Sequence, residues 1–164
     1  MKPIQPAEAE RLVQTYADLI LRLSYTYLKS THDAEDICQT VFLKLLMSGQ
    51  EFDSAAHERA WIIRTTANAC KDALRGAARR RTVGLEAVAE TAAPAPPENE
   101  VLAAVMELPE KYRDAVYLHY YEGYSVREIA ALLGRSESAV SAHLSRGRNK
   151  LRTTLGGECY EQSV

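Results

Sequence analysis

The chain has 164 residues, 46% hydrophobic and 26% charged, which leaves room for one ordinary domain or two small ones of soluble composition. No apolar run approaches the ~18 residues of a membrane span, and the opening MKPIQPAEAERLVQ lacks the apolar segment of a secretory signal, so the cytoplasm is the expected location. The formal net charge of −2 speaks against a nucleic-acid partner only as a sum, because the charges are segregated along the chain.

A first helix is expected over 7–28, where Leu12, Tyr16, Leu19 and Leu23 recur at close to helical period. Ser30 to Asp33 reads as a short turn with capping residues. A second helix is expected over 34–47, with Ile37, Val41 and Leu45 on one face, followed by a loop from Gly49 to Ser54. A long third helix is expected over about 55–78, with Trp61, Thr65, Ala69 and Ala73 along one stripe. That placement makes Trp61 a core residue rather than a stacking platform. From Arg59 to Arg81, seven basic residues stand against one acid, Asp72, a local charge of +6.

The segment from Thr82 to Glu100 carries four acids, no base, and Pro94, Pro96 and Pro97. Proline lacks the backbone donor a helix needs, and this composition buries little, so a flexible acidic linker is expected. Beyond it, Leu108-Pro109-Glu110 opens a helix with Tyr112, Ala115, Val116 and Tyr120 on its apolar side, and Gly123 closes it. Ser125-Val126-Arg127-Glu128 has the spacing of a capping box, in which hydroxyl and carboxylate satisfy each other's exposed backbone donors. Ile129, Ala130 and Leu133 follow as a buried face, and Gly134 suits the left-handed residue that stops a helix. Ser136 then caps a last helix with Val140, Leu144, Gly147 and Leu151 on one side. From Arg135 to Arg152, five bases stand against Glu137, a second basic block of +4.

Helix, short glycine-containing turn and basic second helix form a helix-turn-helix pattern. With Val140, Leu144 and Leu151 inward, Ser141, Ala142, Ser145, Arg146 and Asn149 turn outward. Small residues there admit a helix closely to the major groove, and Arg146 can grip a guanine edge with two hydrogen bonds. Arg148, Lys150 and Arg152 are better placed for phosphates, which position without reading sequence. Two basic blocks flanking an acidic spacer suggest two contacts on one polyanion.

Other chemistry finds little support. Cys38, Cys70 and Cys159 are odd in number, far apart and outside any CxxC pattern, which fits a reducing compartment and buried thiols rather than disulfides or a redox switch. His32, His57, His119 and His143 have no metal-ligand spacing, so neither a metal nor another cofactor is expected. The cluster Tyr117, Tyr120, Tyr121 and Tyr124 reads as half-buried packing. No carboxylate cluster with basic partners, phosphate-cradling glycine loop or nucleophile–base pair points to an enzyme.

The segments LPEKYR (108–113), YEGYS (121–125), EIA (128–130) and VSAHLSRGRNKL (140–151) resemble region four of the extracytoplasmic-function (ECF) group of bacterial RNA polymerase sigma factors. DAEDICQTVF (33–42) resembles the region-two helix of that group that docks on polymerase, and Trp61 with Ile62, Arg64, Asn68, Asp72 and Arg75 resembles its helix at the melted promoter edge. The resemblance implies an all-α chain of two small helical domains. Region two would span 7–81, a flexible linker 82–100, and a region-four helix-turn-helix 101–155. It further implies that Asp36, Gln39 and Thr40 face core polymerase, with Thr40 standing where the group commonly has glutamate. Arg64, Asn68, Lys71 and Arg75 would face the minus-ten element, and the loop from Gly49 to His57 would capture a flipped base. Arg135, Ser141, Ala142, Ser145 and Arg146 would meet the minus-thirty-five element, with Arg148 and Lys150 beside them. Promoter DNA and core polymerase are the implied partners, with an anti-sigma protein as a third. The competing reading is a helix-turn-helix regulator that binds operator DNA alone, against which the DAEDICQTVF helix speaks.

Overall fold

The computed structural model describes residues 4–82 and 100–155, and among them seven α-helices and no strand. The helices sort into two units, α1–α3 and α4–α7. The all-α expectation therefore holds. Almost all of the acidic segment expected as a linker lies outside the described residues, as does Cys159.

In the first unit, α1 (Pro6–Leu28) starts on a proline, where the missing N–H costs nothing, and ends at Lys29 in the left-handed conformation (φ 54°). The α2 helix (Thr31–Ser48) begins earlier than expected. Ser30, read as part of a turn, is its cap, with Oγ accepting from the Asp33 backbone N–H at 3.2 Å. The α3 helix (Ala55–Thr82) runs past the expected end at Ala78. Leu12, Tyr16, Leu19 and Leu23 from α1 and Ile37, Val41 and Leu45 from α2 are all buried, as their spacing required.

On α3 the expected stripe is rotated. Its core residues are Ile62, Ile63, Thr66, Ala67 and Cys70, while Trp61, Thr65 and Ala73 are only half-buried and Ala69 alone of that set is buried. The two isoleucines decide the matter. Each offers more apolar area than threonine or alanine, about 1.5–3 kcal/mol per fully buried side chain, so the helix turns them inward.

The start of α3 is tied to α1 by a buried carboxylate. Glu58 accepts hydrogen bonds from Tyr16 Oη at 2.6 Å and from Arg11 Nη2 at 2.9 Å. Burial alone would raise its proton affinity, but the Arg11 and Tyr16 hydrogen bonds outweigh it and hold the carboxyl below its ordinary value of 4.5. A carboxyl lowered in the folded state contributes stability that is present above the ordinary value and lost as pH falls through the lowered one. Acid titration of thermal stability is expected to show this loss, and Glu58→Gln to flatten it. An equally steep acid limb in the variant would place the titrating group elsewhere.

In the second unit, α4 (Glu100–Met106) was not anticipated as a separate helix. The α5 helix (Glu110–Tyr120) is enclosed by α4, α6 and α7, so every residue from Tyr112 to Leu118 is buried, rather than one side. Tyr120, expected on its apolar side, is exposed near the helix end. The capping box forms as read. Glu128 N–H donates to Ser125 Oγ at 3.1 Å, and Ser125 N–H donates to Glu128 Oε1 at 3.0 Å. The α6 helix (Val126–Leu133) stops at Gly134 (φ 66°), and Ser136 Oγ accepts from Ala139 N–H at 3.0 Å to cap α7 (Glu137–Leu155).

Gly147 sets how closely α7 lies on α5. A Cβ there would stand 2.8 Å from Val116 Cγ2, on a stiff side chain that is itself fully buried. Gly147→Val is therefore expected to destabilise this unit by about 1–3 kcal/mol through overpacking. Urea unfolding followed by circular dichroism checks this, and an unmoved midpoint would mean that α7 can leave α5 at no cost.

Candidate nucleic-acid interface

The inward stripe of α7 is Val140, Leu144, Gly147 and Leu151. It leaves Ser141, Ser145, Arg146 and Asn149 exposed and Ala142 half-buried, all on the side away from α5. Arg148, half-buried, and Lys150, exposed, flank that surface on opposite sides, and Arg152 is exposed in the last turn. The outward surface is thus narrow at its centre and cationic along its edges, the form needed for a helix that enters a groove between two phosphate strands.

Arg135 differs. It stands between the turn residue Gly134 and the cap Ser136, and its guanidinium meets Asp114 of α5 with two hydrogen bonds, Nη1–Oδ1 at 2.9 Å and Nη2–Oδ2 at 2.5 Å. The Asp114 side chain is 1% exposed and that of Arg135 19%. The structure thus turns the fork expected on DNA towards α5. His143 lies beside this pair, its ring 5.5 Å from that of Tyr112. Burial first, and then Arg135, Lys111 and Arg146, depress it below the ordinary histidine value, against the opposing pull of Asp114.

In the first unit, Arg64, Asn68, Lys71 and Arg75 follow one another at helical spacing on the side of α3 away from Ile62, Thr66 and Cys70. Lys71 is half-buried and the other three are exposed. Arg75 pairs with Asp72, both largely in solvent, and such a pair holds the guanidinium weakly enough for a phosphate to compete. Phe52 folds the loop before α3 back onto the helix, meeting His57 and Trp61 edge-on at 5.3 and 5.9 Å between ring centres. Trp61 is thereby a half-buried wall of this loop rather than a core residue.

Asp36, Gln39 and Thr40 are exposed on α2, opposite Ile37, Val41 and Leu45. The same outer face continues into Leu43, Leu46 and Met47, which are 57%, 38% and 66% exposed. Thr40, Leu43, Lys44, Met47 and Ser48 line a shallow groove with Trp61. These apolar residues were missed in the sequence. The available signal was that the last turns of α2 hold more large apolar residues than its single core stripe uses.

The remaining singled-out residues bear less directly on recognition. Cys70 is fully buried, and burial pushes its thiol up to about 11, while burial also raises that of the half-buried Cys38. His119 Nδ1 lies 2.8 Å from the Tyr124 carbonyl oxygen. Tyr117 is buried and stacks on Tyr121 at 5.6 Å, whereas Tyr120 and Tyr121 are exposed, so the tyrosine cluster is only partly packing. Among the described residues no group of His, Cys, Asp and Glu side chains could hold a metal ion, and no helix is long and apolar enough to cross a membrane.

Comparison with known proteins places both units. Residues 12–80 match Sigma-70 region 2, and residues 98–151 match Sigma-70, region 4. The chain is 33% identical to the ECF RNA polymerase sigma factor SigE of Mycolicibacterium smegmatis over 93% of its own length, and spans 63% of the length of that relative. It is 31% identical to the ECF RNA polymerase sigma factor SigM of Mycobacterium tuberculosis, over 90% of this chain and 76% of that protein. Against the ECF RNA polymerase sigma factor SigW of Bacillus subtilis the identity is 29%, over 88% and 87%. Among solved structures, the fold is shared with the sigma factor RpoE from Bartonella quintana, solved with the anti-sigma factor NepR (TM-score 0.69, 20% identity, 90% of this chain and 96% of that one). It is shared too with CnrH, solved with the cytosolic domain of CnrY (TM-score 0.64, 23% identity, 93% and 90%). The paired region-2 and region-4 matches imply promoter recognition and transcription initiation. The chain belongs to the ECF group of RNA polymerase sigma factors.

Proposed function

We propose that this sigma factor docks on core RNA polymerase through the outer face of α2 and places two DNA-reading helices on a promoter. The observation that carries this reading is the α2 face itself: Asp36, Gln39 and Thr40 run into exposed Leu43 and Met47 on a helix whose opposite side is already buried. A polar rim beside an unburied apolar ridge suits a protein partner rather than DNA. Residues 7–81 form the unit that holds polymerase and the minus-ten element. There Arg64, Lys71 and Arg75 supply cations, Asn68 a base-edge contact, and the Phe52–Trp61 loop a pocket for an unstacked base. Residues 101–155 read the minus-thirty-five element through Ser141, Ala142, Ser145 and Arg146, with Arg148 and Lys150 on phosphates. The chain catalyses nothing itself and acts in the cytoplasm, on polymerase. An anti-sigma protein fits as a further partner, since the sigma factor RpoE, which shares the fold, was solved with the anti-sigma factor NepR.

Reconstituted transcription tests the reading. The purified chain with core polymerase should start transcription at a discrete set of genomic promoters, while alone it should bind DNA weakly and with strong salt dependence, because its phosphate contacts are few. Tight operator binding by the chain alone, with no stimulation of core polymerase, would favour an autonomous regulator.

A further inference from the structure

Besides the His143 ring beside Tyr112, two contacts tie α7 and the turn before it to the central helix α5. Midway along, Gly147 brings the backbones together against Val116, Leu108 and Tyr112. At the start, Arg135 reaches from the turn to Asp114. The Gly147 contact sets the distance, and the apolar packing of Val140, Leu144 and Leu151 holds α7 among α4, α5 and α6 without directional bonds. The Arg135 contact adds direction, because a planar fork meeting a carboxylate with two hydrogen bonds fixes orientation as well as separation. Asp114 is itself held, its Oδ1 accepting from the Ala115 backbone N–H at 2.7 Å on a fully buried turn of α5. Arg135 N–H donates to the Ala130 carbonyl at 3.0 Å, and the next residue, Ser136, caps α7. The anchor therefore sits at the end of α7 that presents Ser141 and Ala142.

We propose that the Asp114–Arg135 pair is a positioning latch: it sets the angle at which α7 presents Ser141, Ala142 and Ser145 to bases, and Arg135 is not itself a DNA contact. The inference rests on the assignment of α7 to the minus-thirty-five element. Tilting α7 by about 5° about its middle shifts its first turn by about 1 Å, enough to misalign base-edge hydrogen bonds, so the latch governs which bases are accepted more than how strongly DNA is held.

The test uses the full chain with core polymerase on a promoter library varied through the minus-thirty-five element, at several salt concentrations. Asp114→Asn, Arg135→Gln and Arg135→Lys are each expected to reorder the library. The preference for the best element over its single mismatches should fall several-fold, with the salt slope unchanged. Combining Asp114→Asn with Arg135→Gln should be no worse than either alone. Arg135→Lys is decisive even where loss of Asp114 impairs folding, because lysine keeps the charge and loses the fork. A Lys variant that behaves as the parent, with a Gln variant that weakens every promoter equally and flattens the salt slope, makes Arg135 a phosphate contact and overturns the latch. A strong minus-thirty-five preference that all the variants leave intact also overturns it. No preference in the parent protein sinks the assignment of α7, and the latch with it.

Discussion

Leu43→Glu combined with Met47→Glu is expected to weaken binding to core polymerase by about 2–4 kcal/mol, the scale of residues at the centre of an interface. Both side chains lie mostly in solvent, at 57% and 66% exposure, so the substitution removes no core packing and the free protein should melt as before. In the complex the new carboxylates would have to shed water at the contact, on a face that already carries Asp36. Asp36→Ala with Gln39→Ala should cost less, since polar residues at the rim of an interface contribute little individually. Titration of labelled polymerase with each variant gives the ranking. Equal affinity for parent and Leu43/Met47 variant would move the docking surface off α2, and a larger loss at Asp36 and Gln39 would make the contact electrostatic.

Arg146→Ala is expected to relax preference at one upstream promoter position and to cost on the order of 1–3 kcal/mol on promoters that carry the preferred base there. Arg146 is exposed in the middle of α7, one turn beyond Ala142, where a helix lying in the groove is nearest to base edges. Arg152 is exposed in the last turn, where the groove curves away, so Arg152→Ala should lower all promoters by a similar factor and reduce the salt slope. Transcription of one promoter library by both variants separates the two roles. If Arg146→Ala lowers every promoter alike, the arginine touches phosphate and α7 is rotated in the groove from the orientation described.

Local interactions made much of this protein legible before its fold was known. Ser125 and Glu128 close their capping box within four residues, Gly134 supplies the left-handed stop, and Ser136 opens α7, each needing only its chain neighbours. The stripes of α1, α2 and α7 were legible for a related reason: one side of each helix holds large apolar residues, and burying that side is favourable whatever it packs against. The stripe of α3 was not, since alanines and threonines compete with Ile62 and Ile63 for the inward position, and only the partners' surfaces choose between them. The buried sides of α5 were equally hidden, because being enclosed by three helices is a property of the assembly and not of EKYRDAVYLHY.

Charge shows the same division. Spacing alone reveals that two basic segments exist, that one is a helix-turn-helix, and that Arg64, Asn68, Lys71 and Arg75 share one side of a helix. Which of those cations are available depends on contacts across the fold. Arg135 and Arg146 belong to one basic block, yet Arg146 faces solvent while Arg135 is turned onto a carboxylate 21 residues earlier in the chain. The tertiary contacts likewise left Leu43, Leu46 and Met47 outside, apolar residues for which the stripe of Ile37, Val41 and Leu45 has no place. The reason is common to both: hydrogen-bond partners and burial come from residues distant in sequence, and a helical period states which side chains travel together but not which side meets a neighbour.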